Sequence, residues 1–342
     1  MSLATAKEPQ HQKGIPPEVY LRAQPFLQDL ERFLQKETNS FEPELLSLVD
    51  YVFARPGKRL RSLLTYLAGT NAEGAYTSDQ IKIAAVIEMV HLATLVHDDI
   101  LDEAAMRHNR ETVSALYGTP SAVLLGDALF AQALNLASSF SSTEVCRAVA
   151  TATRQVCAGE IDQSLFNQEK APTRERYFRI IELKTAELFD VSCRLGASFG
   201  CPQPSGFPQA AGLFGRQLGI AYQIYDDLLD IFGNEVESGK TLGTDIMSGK
   251  VTLPIFALRD LLSEKERHHL DSRLAGGSPE IVEEMLQLLR QPAVYQAVHA
   301  TFNRIISEGI QTLEPFAHLP ASAELHQLGT LLREKIADLG PL

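Results

Sequence analysis

Only four cysteines occur in 342 residues, and Cys146, Cys157, Cys193 and Cys201 form no CxxC pair. Such spacing argues against a zinc site or a disulfide framework and fits a reducing cytoplasm. Basic residues are also scarce: 31 Lys and Arg against 43 Asp and Glu leave a net charge of −12 and an isoelectric point near 5.3. A nucleic-acid binder shows a basic patch for phosphate contacts, so no nucleic-acid partner is expected; a small anion remains possible where cations gather locally. No run of 18 uninterrupted apolar residues occurs, and the opening "MSLATAKEPQHQKG" lacks an apolar core of signal-peptide length. Neither a membrane span nor a secretory leader is expected. No Gly/Ser/Pro-rich linker divides the chain. Residues 1–15 read as a polar tail and 16–342 as one domain.

What the sequence does have is helical periodicity. Apolar residues recur at helical spacing, with no strict alternation flanked by hairpin turns, so the fold class is all-α. The pattern predicts helices at about 17–37, 42–54, 58–72, 78–103, 120–139, 143–169, 173–200, 207–233, 248–262, 279–290, 292–316 and 321–338. Those near 80–103, 143–169, 173–200 and 207–233 are apolar on most faces, as central members of a bundle are.

Two of these central helices end in the same signature, "DDILD" at 98–102 and "DDLLD" at 226–230. In each the first and third aspartates stand i, i+4 on one face, and the middle one is rotated by about 100°. Like charges at that spacing repel, more so where water is scarce. One DDxxD could be a solvated acidic helix end; two, each closing an apolar helix, call for positive charge between them. Oxygen ligands without His or Cys favour magnesium, which keeps waters and is completed by phosphate oxygens. Asp98, Asp99, Asp102, Asp226, Asp227 and Asp230 are therefore candidate metal ligands for a phosphorylated substrate.

Counter-charges are spread along the chain. "RPGKRLRS" sets Lys58 and Arg61 at i, i+3 at a helix start, where free N–H groups also meet anions. Arg107 follows the first motif, Lys184 lies in the mainly apolar "IELKTAELF", and "GKTLGTDIMSGKVTLP" supplies Lys240 and Lys250. His91, seven residues before Asp98, reads as a satisfied core histidine or a phosphate donor.

The ordered set "GKRLR", "EMVHLATLVHDDILD", "LLGDALFAQA", "GEIDQ", "KTAELF", "GIAYQIYDDLLDIFG" and "GKTLGTDIMSGKVTLP" resembles the trans-isoprenyl diphosphate synthases, or polyprenyl synthetases, over nearly the whole chain. The resemblance implies an all-α single-domain bundle of the isoprenoid synthase type with a deep central cavity, usually a homodimer. It implies several Mg²⁺ ions bridging the aspartates to an allylic diphosphate, a basic pocket for isopentenyl diphosphate, and head-to-tail condensation. Carried onto this chain, Asp98, Asp102 and Asp226 look like the principal metal ligands, with Asp99, Asp227 and Asp230 in support. Arg107, Lys184, Lys240 and Lys250 look like allylic diphosphate partners; Lys58, Arg61 and His91 look like the isopentenyl diphosphate site. Lys184, Thr185 and Gln223 look catalytic, the last two as dipoles facing a carbocation.

Product length should follow from what lines the cavity below the first motif. Thr94 and Ala93, one turn before Asp98, are not aromatic, and the two-residue insertion of some short-chain members is absent. An all-trans product of C30 or longer is expected, geranylgeranyl (C20) being the alternative, with the product released to the membrane. Two departures touch the isopentenyl diphosphate side: His108 stands where a second Arg is common, and Pro56-Gly57 replaces a Gly pair. Arg110, if helical, would point away from His108. A class I terpene cyclase would carry a different second metal motif and lack Lys58 and Arg61, and a non-catalytic regulatory subunit commonly loses the aspartates.

Overall fold

The computed structural model describes residues 17–54, 57–107, 110–166, 172–233, 242–274 and 279–340. Helices α1 (Pro17–Thr38), α2 (Leu46–Phe53), α3 (Leu60–Gly69) and α4 (Ser78–Leu101) lead to a two-stranded hairpin, β1 (Met106–Arg107) and β2 (Arg110–Glu111). There follow α5 (Val113–Tyr117), α6 (Thr119–Ser138), α7 (Glu144–Phe166), α8 (Arg174–Ile181), a π-helical turn (Glu182–Ala186), α9 (Glu187–Phe199) and α10 (Phe207–Phe232). The chain closes with α11 (Thr244–Met247), α12 (Leu253–Leu261), α13 (Glu264–Leu274), α14 (Pro279–Leu289), α15 (Pro292–Leu313), a 3₁₀ turn and α16 (Pro320–Asp338). The fold is all-α, and one core of packed apolar side chains runs from Val19 to Ile336.

Local chemistry starts the central helices. Thr77 caps α4: its hydroxyl accepts from the Gln80 N–H at 3.1 Å while Gln80 Oε1 accepts from the Thr77 N–H at 3.0 Å. Every residue from 83 to 90 is then buried, so α4 is surrounded rather than amphipathic. It packs on α3 and α6, while α10 lies between α9 and α15. Leu218, Ile224 and Leu228 of α10 are fully buried, each stabilising the fold by about 1.5–3 kcal/mol.

Two glycines let backbones meet around the π turn. A Cβ on Gly159 of α7 would stand 2.9 Å from the Lys184 nitrogen, and one on Gly219 of α10 would stand 2.7 Å from the Ala186 Cα. Side chains there would push the turn away from both neighbours.

The structure departs from the sequence expectations in several places, the short helices α5 and α11 among them. The segment expected as one helix over 173–200 is split by the π turn, which widens the helix by one residue and is a feature common at functional sites. The region of Arg110 is a hairpin, with Arg107 opposite Arg110, rather than helix. The helix expected over 248–262 begins only at Leu253, and α13 was not anticipated because "EKERHHLDSRL" is mostly polar, with only Leu270 and Leu274 to mark an apolar face. Helix α6 is long and apolar enough, by length and composition alone, to cross a membrane, although a third of that window is buried in the fold.

Candidate active site

Helix α4 delivers Asp98 to a cluster built by the π turn and α7. Lys184 Nζ sits 3.8 Å from Asp98 Oδ2 and 2.6 Å from Glu160 Oε1, and it donates to Gln163 Oε1 at 2.9 Å. Burial opposes the ammonium charge, but Asp98 and Glu160 outweigh it and raise the lysine pKa. Burial pushes Glu160 up to about 7; Lys184 holds it down and Asp98 drives it higher. The other Asp98 oxygen, Oδ1, is buried with no hydrogen-bond donor on it. Asp102 is exposed at the helix end, with Lys250 Nζ 4.0 Å away. Lys184 and Lys250, predicted from separate segments, thus converge on the first motif.

The middle aspartate faces inward, as its rotation requires. Asp99 is 4% exposed and accepts from Arg107 Nε at 2.5 Å. Arg107 is therefore engaged by Asp99, although its charge still reaches His91.

The second motif behaves similarly. Asp227 is 3% exposed and accepts from the Tyr177 hydroxyl at 2.5 Å and from Gln223 Nε2 at 3.0 Å. Gln223 Oε1 in turn accepts from Thr185 Oγ1 at 3.1 Å. Burial and Asp245 push Asp227 up to about 8, against the pull of Tyr177 and Gln223. Burial beside Asp227 pushes Tyr177 well above its ordinary value. Thr185 and Gln223, expected to face a carbocation, are thus tied to each other and to Asp227. Asp230 is a loop anchor: Oδ1 accepts from the Thr244 N–H at 3.1 Å and its hydroxyl at 2.8 Å, and Oδ2 accepts from the Asp245 N–H at 3.1 Å. Of the expected i, i+4 pair, one member holds the loop that leads to Lys250, and the half-buried Asp226 lies beside Tyr222 and Tyr225.

A third cluster joins α3 and α4. Arg61 NH1 donates to His91 Nε2 at 3.0 Å, its guanidinium stacks 5.2 Å from the centre of the Phe189 ring, and its Nε is buried without a partner. Desolvation lowers the Arg61 pKa. Burial, then the charges of Arg61, Arg107 and Arg59, hold His91 well below the usual histidine range. Because a guanidinium only donates, Nε2 accepts and the ring is neutral. Lys58 is exposed just before α3. Lys240 and His108 lie outside the described residues. Of the chain-length pair, Ala93 has no exposed surface; Thr94 is half-buried and its hydroxyl donates to the His91 carbonyl. Only Thr94 borders accessible space.

The sequence profile of the polyprenyl synthetase family matches residues 42–291. The chain belongs to that family. Its relatives include the octaprenyl diphosphate synthase of Haemophilus influenzae, 30% identical over 89% of this chain and 92% of that one. A short chain isoprenyl diphosphate synthase of Methanothermobacter thermautotrophicus is 31% identical over 82% of this chain and 88% of its own. A polyprenyl synthase of Caulobacter crescentus, solved with calcium and isoprenyl diphosphate, superposes with a TM-score of 0.82 at 26% identity, covering 94% of this chain and 98% of that one.

The polyprenyl synthetase residues fit a divalent metal. The undonated Asp98 Oδ1, the exposed Asp102 and the half-buried Asp226 are hard oxygen donors of the kind magnesium takes. Among the described residues no three His, Cys, Asp or Glu side chains converge on one point, so a ligand's phosphate oxygens and water would complete the shell. Glu160, Gln163 and Tyr177 were not singled out from the sequence. The first two stand inside "GEIDQ", whereas nothing local marks Tyr177.

Proposed function

We propose that the chain is a prenyltransferase that condenses isopentenyl diphosphate head-to-tail with an allylic diphosphate. The observation that carries this reading is the convergence of Lys184 and Lys250 on Asp98 and Asp102, beside a separate Arg61–His91 cluster with a buried undonating Nε. Two anion-receptive clusters match a reaction with two diphosphates. Asp98, Asp102 and Asp226 would hold Mg²⁺, which supplies positive charge to the allylic diphosphate as it leaves.

Lys184 and Lys250 stabilise the same developing charge from the protein side. The carbon–oxygen bond breaks and its electron pair departs with diphosphate. The double bond of isopentenyl diphosphate, whose diphosphate is held by Arg61, His91 and Lys58, forms the new carbon–carbon bond, and a proton is lost to the released diphosphate. Asp99 and Asp227 orient Arg107 and Gln223 rather than ligate metal, and Asp230 secures the loop before Lys250.

We assign a product of C30 or longer, supported by the octaprenyl relative and by the absence of an aromatic residue at Thr94. The geranylgeranyl alternative is not favoured, since octaprenyl, nonaprenyl and heptaprenyl diphosphate synthases stand among the relatives. A terpene cyclase is disfavoured by the second DDxxD, and a purely regulatory subunit by the intact aspartates. We place the enzyme in the cytoplasm, consistent with four free cysteines. We further read it as a homodimer. On α6, Val123, Leu124 and Leu134 are 40%, 63% and 39% exposed, next to Leu116 and Tyr117, while Asp127, Gln132 and Asn135 on the same helix suit a protein partner better than lipid. Sedimentation of Leu124→Glu should give a monomer; an unchanged dimer would exclude this face.

The deciding experiment incubates purified protein with labelled isopentenyl diphosphate, Mg²⁺ and dimethylallyl, geranyl, farnesyl or geranylgeranyl diphosphate in turn, then sizes the dephosphorylated products. A ladder ending at C30 or longer supports the full reading. A stop at C20 keeps the chemistry and removes the length assignment, and no product from any primer overturns the catalytic role.

A further inference from the structure

Arg59 is one of two non-glycine residues among the described residues with a left-handed backbone, φ 48°. It sits at the start of α3, between Lys58 and Arg61, yet its side chain is buried, 6% exposed. Its NH1 donates to Glu88 Oε2 at 2.9 Å, and its Nε and NH2 reach Glu31 Oε1 at 3.0 and 2.9 Å. The other Glu88 oxygen accepts from Ser62 Oγ at 2.6 Å.

Glu88 lies one turn before His91 on α4, and its negative charge is also felt by Arg61. Arg61 has a buried Nε that donates to nothing. A buried carboxylate and a buried unsatisfied guanidinium N–H in adjacent turns should pair, because each alone is costly. In the structure they do not pair: Arg59 and Ser62 between them occupy both Glu88 oxygens. The left-handed turn at Arg59 is what carries its guanidinium inward to do so.

We propose that Arg59 is a positioning residue that sequesters Glu88 and thereby keeps Arg61 Nε open to the diphosphate of isopentenyl diphosphate. This rests on the assignment of the Arg61–His91 cluster to that substrate. Without Arg59, Glu88 becomes an internal competitor for Arg61.

The test compares KM for isopentenyl diphosphate, KM for the allylic substrate and kcat in Arg59→Gln, Glu88→Gln and the double variant. Arg59→Gln should raise the isopentenyl diphosphate KM about tenfold or more, with allylic KM and kcat changed less than about threefold. Adding Glu88→Gln should bring that KM back to within about threefold of the parent, since the competitor is gone. A merely structural clamp predicts the opposite: the double variant would be no better than Arg59→Gln, and that result would overturn the proposal. Should Arg59→Gln not fold, Glu31→Gln, which loosens Arg59 from the exposed side, replaces it; its KM must then rise and Glu88→Gln must again restore it. Arg61→Gln is the control. If it leaves the isopentenyl diphosphate KM unchanged, the pocket assignment fails; if it raises KM while the Arg59 variant does not, only the sequestration fails.

Discussion

Lowering the pH should destabilise this protein through His91 by an amount its geometry sets. The ring accepts from Arg61 at 3.0 Å, so protonating it would place two cations in contact in a half-buried site. Its folded pKa is accordingly well below the ordinary 6.5. The unfolded chain binds a proton near 6.5 and the folded chain does not, so the His91 contribution is intact above that pH and is lost as pH falls below it. Each pH unit over which only the unfolded chain takes up the proton costs about 1.4 kcal/mol. Urea unfolding of metal-free wild type and His91→Gln at pH 7.5, 6.5, 5.5 and 5.0 measures this directly. The difference between them should be flat above about pH 7 and move against the wild type below about pH 6, by up to about 1.4 kcal/mol per unit. A second arm titrates inorganic pyrophosphate at pH 6 in buffers of different ionisation heat. An anion on Arg61 restores the imidazole's affinity for a proton, so wild type should take up more protons than the variant. A pH-independent stability difference together with equal proton uptake would refute the neutral, anion-facing histidine.

Three further outcomes are expected. Tyr177→Phe removes the 2.5 Å hydrogen bond to buried Asp227 and should cost about 1.5–3 kcal/mol in chemical denaturation; a loss below about 0.5 kcal/mol would mean the pair is not formed. Inorganic pyrophosphate should raise the melting temperature further with Mg²⁺ than in chelator, and Asp98→Asn should abolish that metal-dependent increment; equal shifts with and without Mg²⁺ would show that the aspartates hold no metal for the anion. Thr94→Phe should shorten the product ladder while leaving the protein folded, whereas Ala93→Tyr, at a position with no exposed surface, should lower stability by about 1–3 kcal/mol or more; an unchanged ladder in Thr94→Phe would remove this helix face from the elongation path.

Much of the site was legible because its signals are local. The i, i+4 aspartates and the rotated middle one follow from helical geometry, and the burial of Asp99 and Asp227 is what that rotation leads to. The cations could be named because each stood out against an apolar or glycine-rich background. What escaped was the pairing, which depends on which helices touch. Glu160 reads as a surface acid until α7 is laid against the π turn, and Tyr177 becomes a partner of Asp227 only through a contact spanning 50 residues. Asp230 looked like its counterpart Asp102, but Thr244 and Asp245 at the start of α11 donate to it, whereas Asp102 is exposed with Lys250 4.0 Å away. The π turn itself left no trace, because one added residue in a long apolar helix barely disturbs the periodicity.

That turn has a consequence for how the two acidic helix ends can change. Lys184 and Thr185 are successive residues, yet the first serves Asp98 and Glu160 and the second serves Gln223 and Asp227. A single turn, with Lys184 against Gly159 and Ala186 against Gly219, is thus common property of both halves. Neither half can drift in sequence or shift in position on its own, since moving one drags the shared turn against a backbone that leaves it no room. Inheritance of the two motifs as a pair is built into the packing of one turn.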